Sequence, residues 1–122
     1  MPKKKNYGAI ITGASTGIGL EIARTLARHG FNIAVTARNT EKLKYIITDP
    51  IFKNVNVLPI ELELLSEQSI SEAIQKATTE FGGINVLVNN ASTALVKPAV
   101  DVTWDEWDTV VNANLKGSYF LS

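Results

Sequence analysis

The chain has 122 residues, 45% of them apolar, with equal numbers of acidic and basic side chains and no cysteine. That length supports one domain with a real core, while zero net charge gives no electrostatic case for nucleic acid or an anionic membrane. Without cysteine and with a single His29, disulfides, thiol chemistry and a Cys-based or His-rich metal site are excluded, and no run approaches the ~18 apolar residues of a membrane helix.

In chain order, Lys3-Lys4-Lys5 reads as a solubilising tail rather than a phosphate-binding arm, and the apolar stretch after it is too interrupted for a signal peptide, so a cytoplasmic protein is expected. Residues 7–11 form a short apolar strand pattern, followed by the glycine-rich segment ITGASTGIG at 11–19. Ile18, Ile22, Ala23, Leu26 and Ala27 then recur at helical spacing, and Gly30 supplies a stop after His29. Residues 31–37 are strand-like; Arg38-Asn39-Thr40 leads to a short helix near 41–47 that Asp49-Pro50 breaks. Residues 55–62 read as a strand, but Pro59 cannot donate to a ladder and so favours an edge position. Ser66 is a natural N-cap for a helix with Ile70, Ala73, Ile74, Ala77 and Phe81 on one face, ended by Gly82-Gly83. Residues 84–88 form a compact strand closed by Asn89-Asn90, and a last helical pattern starts near Thr103, with Trp104, Trp107, Val111 and Leu115 on one side.

Strand–helix alternation of this kind predicts an α/β fold: a Rossmann-like, doubly wound parallel sheet in three αβα layers. Right-handed crossovers allow the strand order 3-2-1-4, which leaves the third strand, with Pro59, at an edge.

The glycine segment lies between a predicted strand and a predicted helix. A helix N-terminus has free N–H groups and a partial positive charge, so it attracts phosphate. Gly13 suits the tight turn off the strand, Gly17 and Gly19 remove side chains that would obstruct a pyrophosphate and helix–strand packing, and Ser15 and Thr16 add hydroxyl donors. The absence of a following Lys argues against a P-loop. A plain glycine-rich turn is the alternative, which the surrounding alternation disfavours.

Thr12-Gly13-Ala14-Ser15-Thr16-Gly17-Ile18-Gly19 resembles the T-G-x-x-x-G-x-G cofactor loop of short-chain dehydrogenases/reductases. Asn89-Asn90-Ala91-Ser92 resembles their N-N-A-G, with Ser in place of Gly, and Asn114-Leu115-Lys116-Gly117 their N-L-x-G. The three segments occur in family order and at family distances, and the resemblance covers essentially the whole chain. It implies that residues 13–19 bind a nicotinamide dinucleotide, that Asn90 and Ala91 border the nicotinamide-side ribose, and that Asn89 ties neighbouring strands. It also implies that Asn114 is the catalytic Asn that kinks its helix and anchors a proton-relay water; an ordinary helix-surface amide is the alternative. Glu63, with the Leu64 backbone beside it, aligns with the family's adenine contact, Glu61, two residues earlier, being the alternative.

At the end of the second strand NAD calls for a carboxylate on the ribose hydroxyls and NADP for a cation on the 2′-phosphate. Here Ala37 is followed by Arg38, with Asn39 or Thr40 as a neutral donor and no acid before Glu41. NADP(H) is therefore expected over NAD. The family's catalytic Tyr-x-x-x-Lys is not found, and the chain stops within a helical pattern at Phe120-Leu121-Ser122. Residues 1–122 are thus expected to be the dinucleotide-binding half of a longer oxidoreductase acting on a small carbonyl or secondary alcohol, homo-oligomeric by the resemblance, and inactive by themselves. A non-catalytic dinucleotide-binding or interaction protein is the other reading, and supply of the missing half by a second chain a third.

Overall fold

The computed structural model describes residues 7–122, so the Lys3-Lys4-Lys5 run lies outside the described residues. Four strands, β1 (Gly8–Ile11), β2 (Asn32–Ala37), β3 (Val57–Glu61) and β4 (Val86–Val88), pair in parallel in the order β3-β2-β1-β4. This is the expected order. Pro59 stands opposite Val35 on the edge strand β3, where its missing N–H costs least.

Successive strand residues face opposite sides of the sheet, and each side has its own helices. Ala9, Ile11, Ile33 and Val35 pack with Ala23 and Ala27 of α1 (Gly17–Arg28), Leu43 of α2 (Thr40–Ile46), and Phe52 in the 3₁₀ turn Pro50–Phe52. Ile10, Ala34, Ile60 and Leu62 pack on the other side with Ile70, Ala73 and Ala77 of α3 (Glu67–Phe81) and with Leu121. Fully burying an aliphatic side chain such as Ile11, Ile33 or Leu43 is worth about 1.5–3 kcal/mol. The small residues Gly19, Ala23 and Ala27, four apart, form the buried stripe of α1 and let it lie close on the sheet. Local chemistry agrees with this packing. The Ser66 side chain caps α3 by accepting from the Ser69 N–H, and Gly82 takes the left-handed turn that ends it.

Ile18, which recurs at helical spacing with Ile22, Ala23, Leu26 and Ala27, does not join the buried face of α1 and is 73% exposed, although Gly19 next to it is buried. The last helical stretch leaves the side that carries its tryptophans exposed. It comprises α4 (Trp104–Val111), a π-helical segment Asn112–Gly117 and α5 (Ser118–Leu121), preceded by a 3₁₀ turn Ala99–Asp101. Ala113, Gly117 and Leu121 face inward while Trp104, Trp107 and Leu115 are exposed. Among the described residues no helix is long and apolar enough to cross a membrane.

Candidate functional site

Whereas Asn114 lies in the π segment, the residues singled out in the sequence for binding lie at the carboxyl ends of the strands, on the loops that leave them or in the first turn of α1. The crossover that places β4 beside β1 opens the sheet there, the position where ligands bind in open α/β sheets.

The loop from β1 to α1 is held by long-range hydrogen bonds. Ala14 N–H donates to the Thr36 carbonyl at 3.0 Å, fixing the loop to β2, and Thr12 N–H donates to the Val88 carbonyl at 3.1 Å, fixing it to β4. The Thr12 hydroxyl accepts from the Asn90 N–H at 2.9 Å and the Ala91 N–H at 2.8 Å. Asn90 returns the contact, its Nδ2 donating to the carbonyls of Thr12 and Gly13, both at 3.2 Å. Gly13 has φ +65°, and a Cβ there would lie 3.0 Å from the Ala91 Cα. A Cβ on Gly19 would collide with the Gly13 carbonyl oxygen and lie 2.6 Å from Asn90 Nδ2. Gly17 differs: it has φ +59° and open space where its Cβ would be. Gly13 and Gly19 thus hold the loop, the helix and the end of β4 together, and Gly17 keeps the loop's outer side clear.

The α1 N-terminus is left open. Thr16 caps it with extended backbone and makes no side-chain capping bond, and the first turn carries no acidic residue. Ser15 is half-buried beside it, and Thr16, Gly17 and Ile18 are exposed. Free amides, a favourable dipole and no competing carboxylate suit an anionic group.

Arg38 stands exposed just past β2, and among the described residues its guanidinium forms no ion pair. Asn39 next to it caps α2, its Oδ1 accepting from the Glu41 N–H at 2.9 Å. The loop after β3 comes alongside, with Leu62 N–H donating to the Ala37 carbonyl at 3.0 Å. Glu63 braces that loop: one carboxylate oxygen accepts from the Leu65 N–H at 3.1 Å, and its own N–H donates to the Ser69 hydroxyl at 2.9 Å. The Leu64 backbone lies against the π segment, and a Cβ on Gly117 would come within 2.6 Å of the Leu64 carbonyl oxygen. The glycine of N-L-K-G is therefore a close-approach residue.

Asn114 sits inside the π segment and is not a free surface amide. Its Oδ1 accepts from the Thr93 N–H and its Nδ2 donates to the Thr93 carbonyl, both at 2.8 Å. Both ends of the side chain are engaged in fixing the loop after β4. Asn89 corrects another expectation. Its Nδ2 donates to the Ser122 hydroxyl at 3.2 Å, and the tie between β1 and β4 is made by Asn90. Past Val88 the strand alternation ends, which turns the second Asn towards the glycine loop and the first towards the last helix. Ser92, the departure from N-N-A-G, is exposed.

Sequence reasoning did not single out two features of this region. The Thr12 hydroxyl is one; its partners lie 78 and 79 residues away, beyond any local pattern. The other is the anchoring of the loop after β4 to the start of α4. Thr103 and Glu106 form a capping box there, and Lys97 Nζ donates to both Glu106 oxygens at 2.8 and 2.9 Å. The Thr-x-x-Glu spacing of a capping box was legible in the sequence. Lys97 and then the Thr103 donors hold the Glu106 carboxyl down at about 2, from an ordinary 4.5. A depressed carboxylate stabilises the fold fully above its ordinary value and loses that contribution as pH falls through its folded value. The anchor is therefore expected to be intact at neutral pH and to release between about pH 4.5 and 2. Substituting Lys97→Met should return the Glu106 titration, followed by carboxyl carbon NMR, towards 4.5.

Among the described residues no group of His, Asp and Glu side chains is placed to hold a metal ion. The site instead offers an open helix N-terminus, backbone cleared of side chains, and a lone guanidinium at the end of β2. A family model described as short chain dehydrogenase matches residues 8–122. The 3-oxoacyl-acyl-carrier-protein reductase FabG of Staphylococcus epidermidis is 35% identical over 115 residues, an alignment covering 93% of this chain and 47% of that protein. An alcohol dehydrogenase from the archaeon Thermococcus sibiricus, solved with 5-hydroxy-NADP, is 32% identical with a TM-score of 0.87, over 94% of this chain and 49% of that one. L-Sorbose reductase of Gluconobacter frateurii, solved with NADPH and L-sorbose, is 26% identical with a TM-score of 0.89, over 96% and 45%. The chain spans about half the length of the curated relatives it matches. With that match running through the glycine loop, the Asn90 tie and the π segment alike, the chain belongs to the short-chain dehydrogenase family of oxidoreductases.

Proposed function

We propose that residues 1–122 form the dinucleotide-binding domain of an oxidoreductase that takes NADP(H) in preference to NAD(H) and acts on a small carbonyl or secondary-alcohol substrate. The observation that carries this reading is the pairing of an open, acid-free α1 N-terminus with Arg38 at the end of β2. The pyrophosphate would lie over Gly13, Ser15, Thr16, Gly17, Ile18 and Gly19, where a Cβ on Gly17 would meet nothing of the chain itself. Arg38 would take the 2′-phosphate, with the Nδ2 of Asn39, the next residue, as a neutral donor. The adenine would reach the loop of Glu63 and Leu64, and the nicotinamide-side ribose that of Asn90 and Ala91. When bound, the nicotinamide supplies or accepts the hydride.

Asn114 would serve the chemistry indirectly. Its side chain is engaged by Thr93, and a π turn loosens the i→i−4 ladder around it, which would leave its main-chain carbonyl able to hold a water. The NADP-bearing relatives support the cofactor choice for their own chains, and the exposed Trp104, Trp107 and Leu115 support assembly into a homo-oligomer. The chain by itself, with no Tyr-x-x-x-Lys, is proposed to bind cofactor without turnover.

A charge-assisted hydrogen bond to phosphate is worth about 1.5–3 kcal/mol. Arg38→Ala is therefore expected to weaken NADPH binding by about ten- to hundredfold and to spare NADH. Titration calorimetry with both cofactors measures this. Equal losses for the two would remove Arg38 from the 2′-phosphate.

A further inference from the structure

Lys42 stands against its own local chemistry. α2 takes Asn39 as its N-cap, so Thr40, Glu41 and Lys42 fill the first three helical positions. A side chain at the third position points back over the cap. The same chain shows this in α4, where Glu106 holds the third position and its carboxylate accepts from the Thr103 N–H at 3.0 Å. In α2 that place belongs to a lysine, which cannot accept from the cap and sits at the positive end of the helix dipole. No ion pair offsets this, for among the described residues Lys42 is exposed and pairs with no carboxylate. Its acidic neighbour Glu41 is turned to Lys44, whose Nζ donates to Glu41 Oε1 at 2.9 Å. A residue kept against capping and dipole alike is the kind of local inconsistency expected at a binding site.

We propose that Lys42 is a second cation for the 2′-phosphate, sharing it with Arg38, and so a further determinant of the preference for NADP(H). This rests on the reading of Arg38 given above. Asn39, the cap over which Lys42 points back, follows Arg38 directly, so both basic side chains are carried to the same corner past the end of β2. The α2 N–H groups are not the attraction, because the helix has only 7 residues and Asn39 Oδ1 already takes the Glu41 N–H. The charge fits: a phosphate monoester carries about two negative charges at neutral pH, more than one guanidinium balances. The pairing of Glu41 with Lys44 neutralises the acid of that first turn, which would otherwise repel the phosphate.

Titration calorimetry with NADPH, NADH and 2′,5′-ADP tests this. Lys42→Gln is expected to weaken NADPH and 2′,5′-ADP by about three- to tenfold and to leave NADH unchanged. The loss is smaller than at Arg38 because an ammonium meets phosphate as a point charge, without the guanidinium fork. Lys42→Arg should retain the affinity. Lys42→Glu is the sharper variant. It supplies the capping acid, so the melting temperature should hold or rise, while NADPH affinity falls further than with glutamine. A lysine with no part in binding would leave the affinity where it was. Lys76→Gln, exposed on α3, makes the same change in net charge elsewhere and should leave all three affinities unchanged. Unchanged NADPH affinity in Lys42→Gln beside a loss in Arg38→Ala would overturn the role of Lys42 and leave that of Arg38 standing. Equal losses for NADPH and NADH in Lys42→Gln, or as large a loss in Lys76→Gln, would overturn it too. Should Arg38→Ala itself not distinguish the two cofactors, the 2′-phosphate reading falls and the role of Lys42 falls with it.

Discussion

Substituting Gly19→Ala is expected to destabilise the fold by roughly 1–3 kcal/mol, the cost of forcing extra atoms into a packed site. In a domain of this size that lowers the melting temperature by about 4–12 °C. The new Cβ would run into the Gly13 carbonyl oxygen and lie 2.6 Å from Asn90 Nδ2 and 3.0 Å from the Gly13 carbonyl carbon. Two of these contacts are backbone, which cannot swing aside as the tip of a long side chain can. Either α1 lifts from the sheet or Asn90 gives up its bonds to Thr12 and Gly13. Both outcomes spread into the dinucleotide site, so affinity for NADPH should fall with stability. Gly17→Ala is the internal control. Its Cβ meets nothing, so its cost is the left-handed backbone alone, about 1–2 kcal/mol. The side-chain amide resonances of Asn90 should therefore move in Gly19→Ala and stay in place in Gly17→Ala. A Gly19→Ala protein with parental melting temperature and an unmoved Asn90 would show that the approach of helix to loop is not tight.

What could be read from the residues, and what could not, divides along the range of the interaction. The four strands were legible because each is an apolar run bounded by Gly, Pro or Asn, and Pro59 named the edge. The N-cap at Ser66 and the glycine stop at Gly82 are local chemistry and were equally visible. Strand limits came out wider than the pairing itself, 55–62 against Val57–Glu61, since apolar residues continue past the last ladder bond. The π segment left no periodic trace. It depends on Gly117 meeting Leu64 and on Asn114 reaching Thr93, contacts set by how α4 and α5 sit on the loops. The helical pattern through Asn112–Gly117 lines up Trp104, Trp107, Val111 and Leu115 but does not say that three of them are exposed and Val111 is half-buried. That the strand tie falls to Asn90 and not Asn89 has the same origin. Two identical neighbours just beyond a strand cannot be told apart until the chain's turn after Val88 is known.

Thr12→Val should be the more revealing substitution at the junction of β1 and β4, because it keeps the side chain's shape and removes only the hydroxyl. Thr12 is 1% exposed. Its Oγ1 accepts from Asn90 N–H at 2.9 Å and Ala91 N–H at 2.8 Å and donates to the Val88 carbonyl at 3.3 Å. In the valine variant Asn90 N–H keeps the Val88 carbonyl at 3.1 Å, whereas Ala91 N–H has no other partner among the described residues. An unsatisfied group of this kind costs about 1–3 kcal/mol, measurable as a lower urea midpoint with an unchanged slope. Thr12→Ser reverses the chemistry, retaining the hydroxyl and losing one methyl group, for about 0.8 kcal/mol. Serine should therefore be milder than valine, whereas pure packing would make it the worse of the two. The backbone at Asn90 and Ala91 is also where the nicotinamide-side ribose is proposed to rest, so valine should lower NADPH affinity more than serine does. Asn90 Nδ2 holds the same junction from the other side, donating to the Thr12 and Gly13 carbonyls. Groups that share one network are not additive: once Thr12→Val has loosened the junction, Asn90→Ala should cost less than it does in the parent. Strict additivity of the two would mean that the hydroxyl and the amide support separate pieces of structure, and that the loop is held to β4 by the Thr12 to Val88 backbone bond.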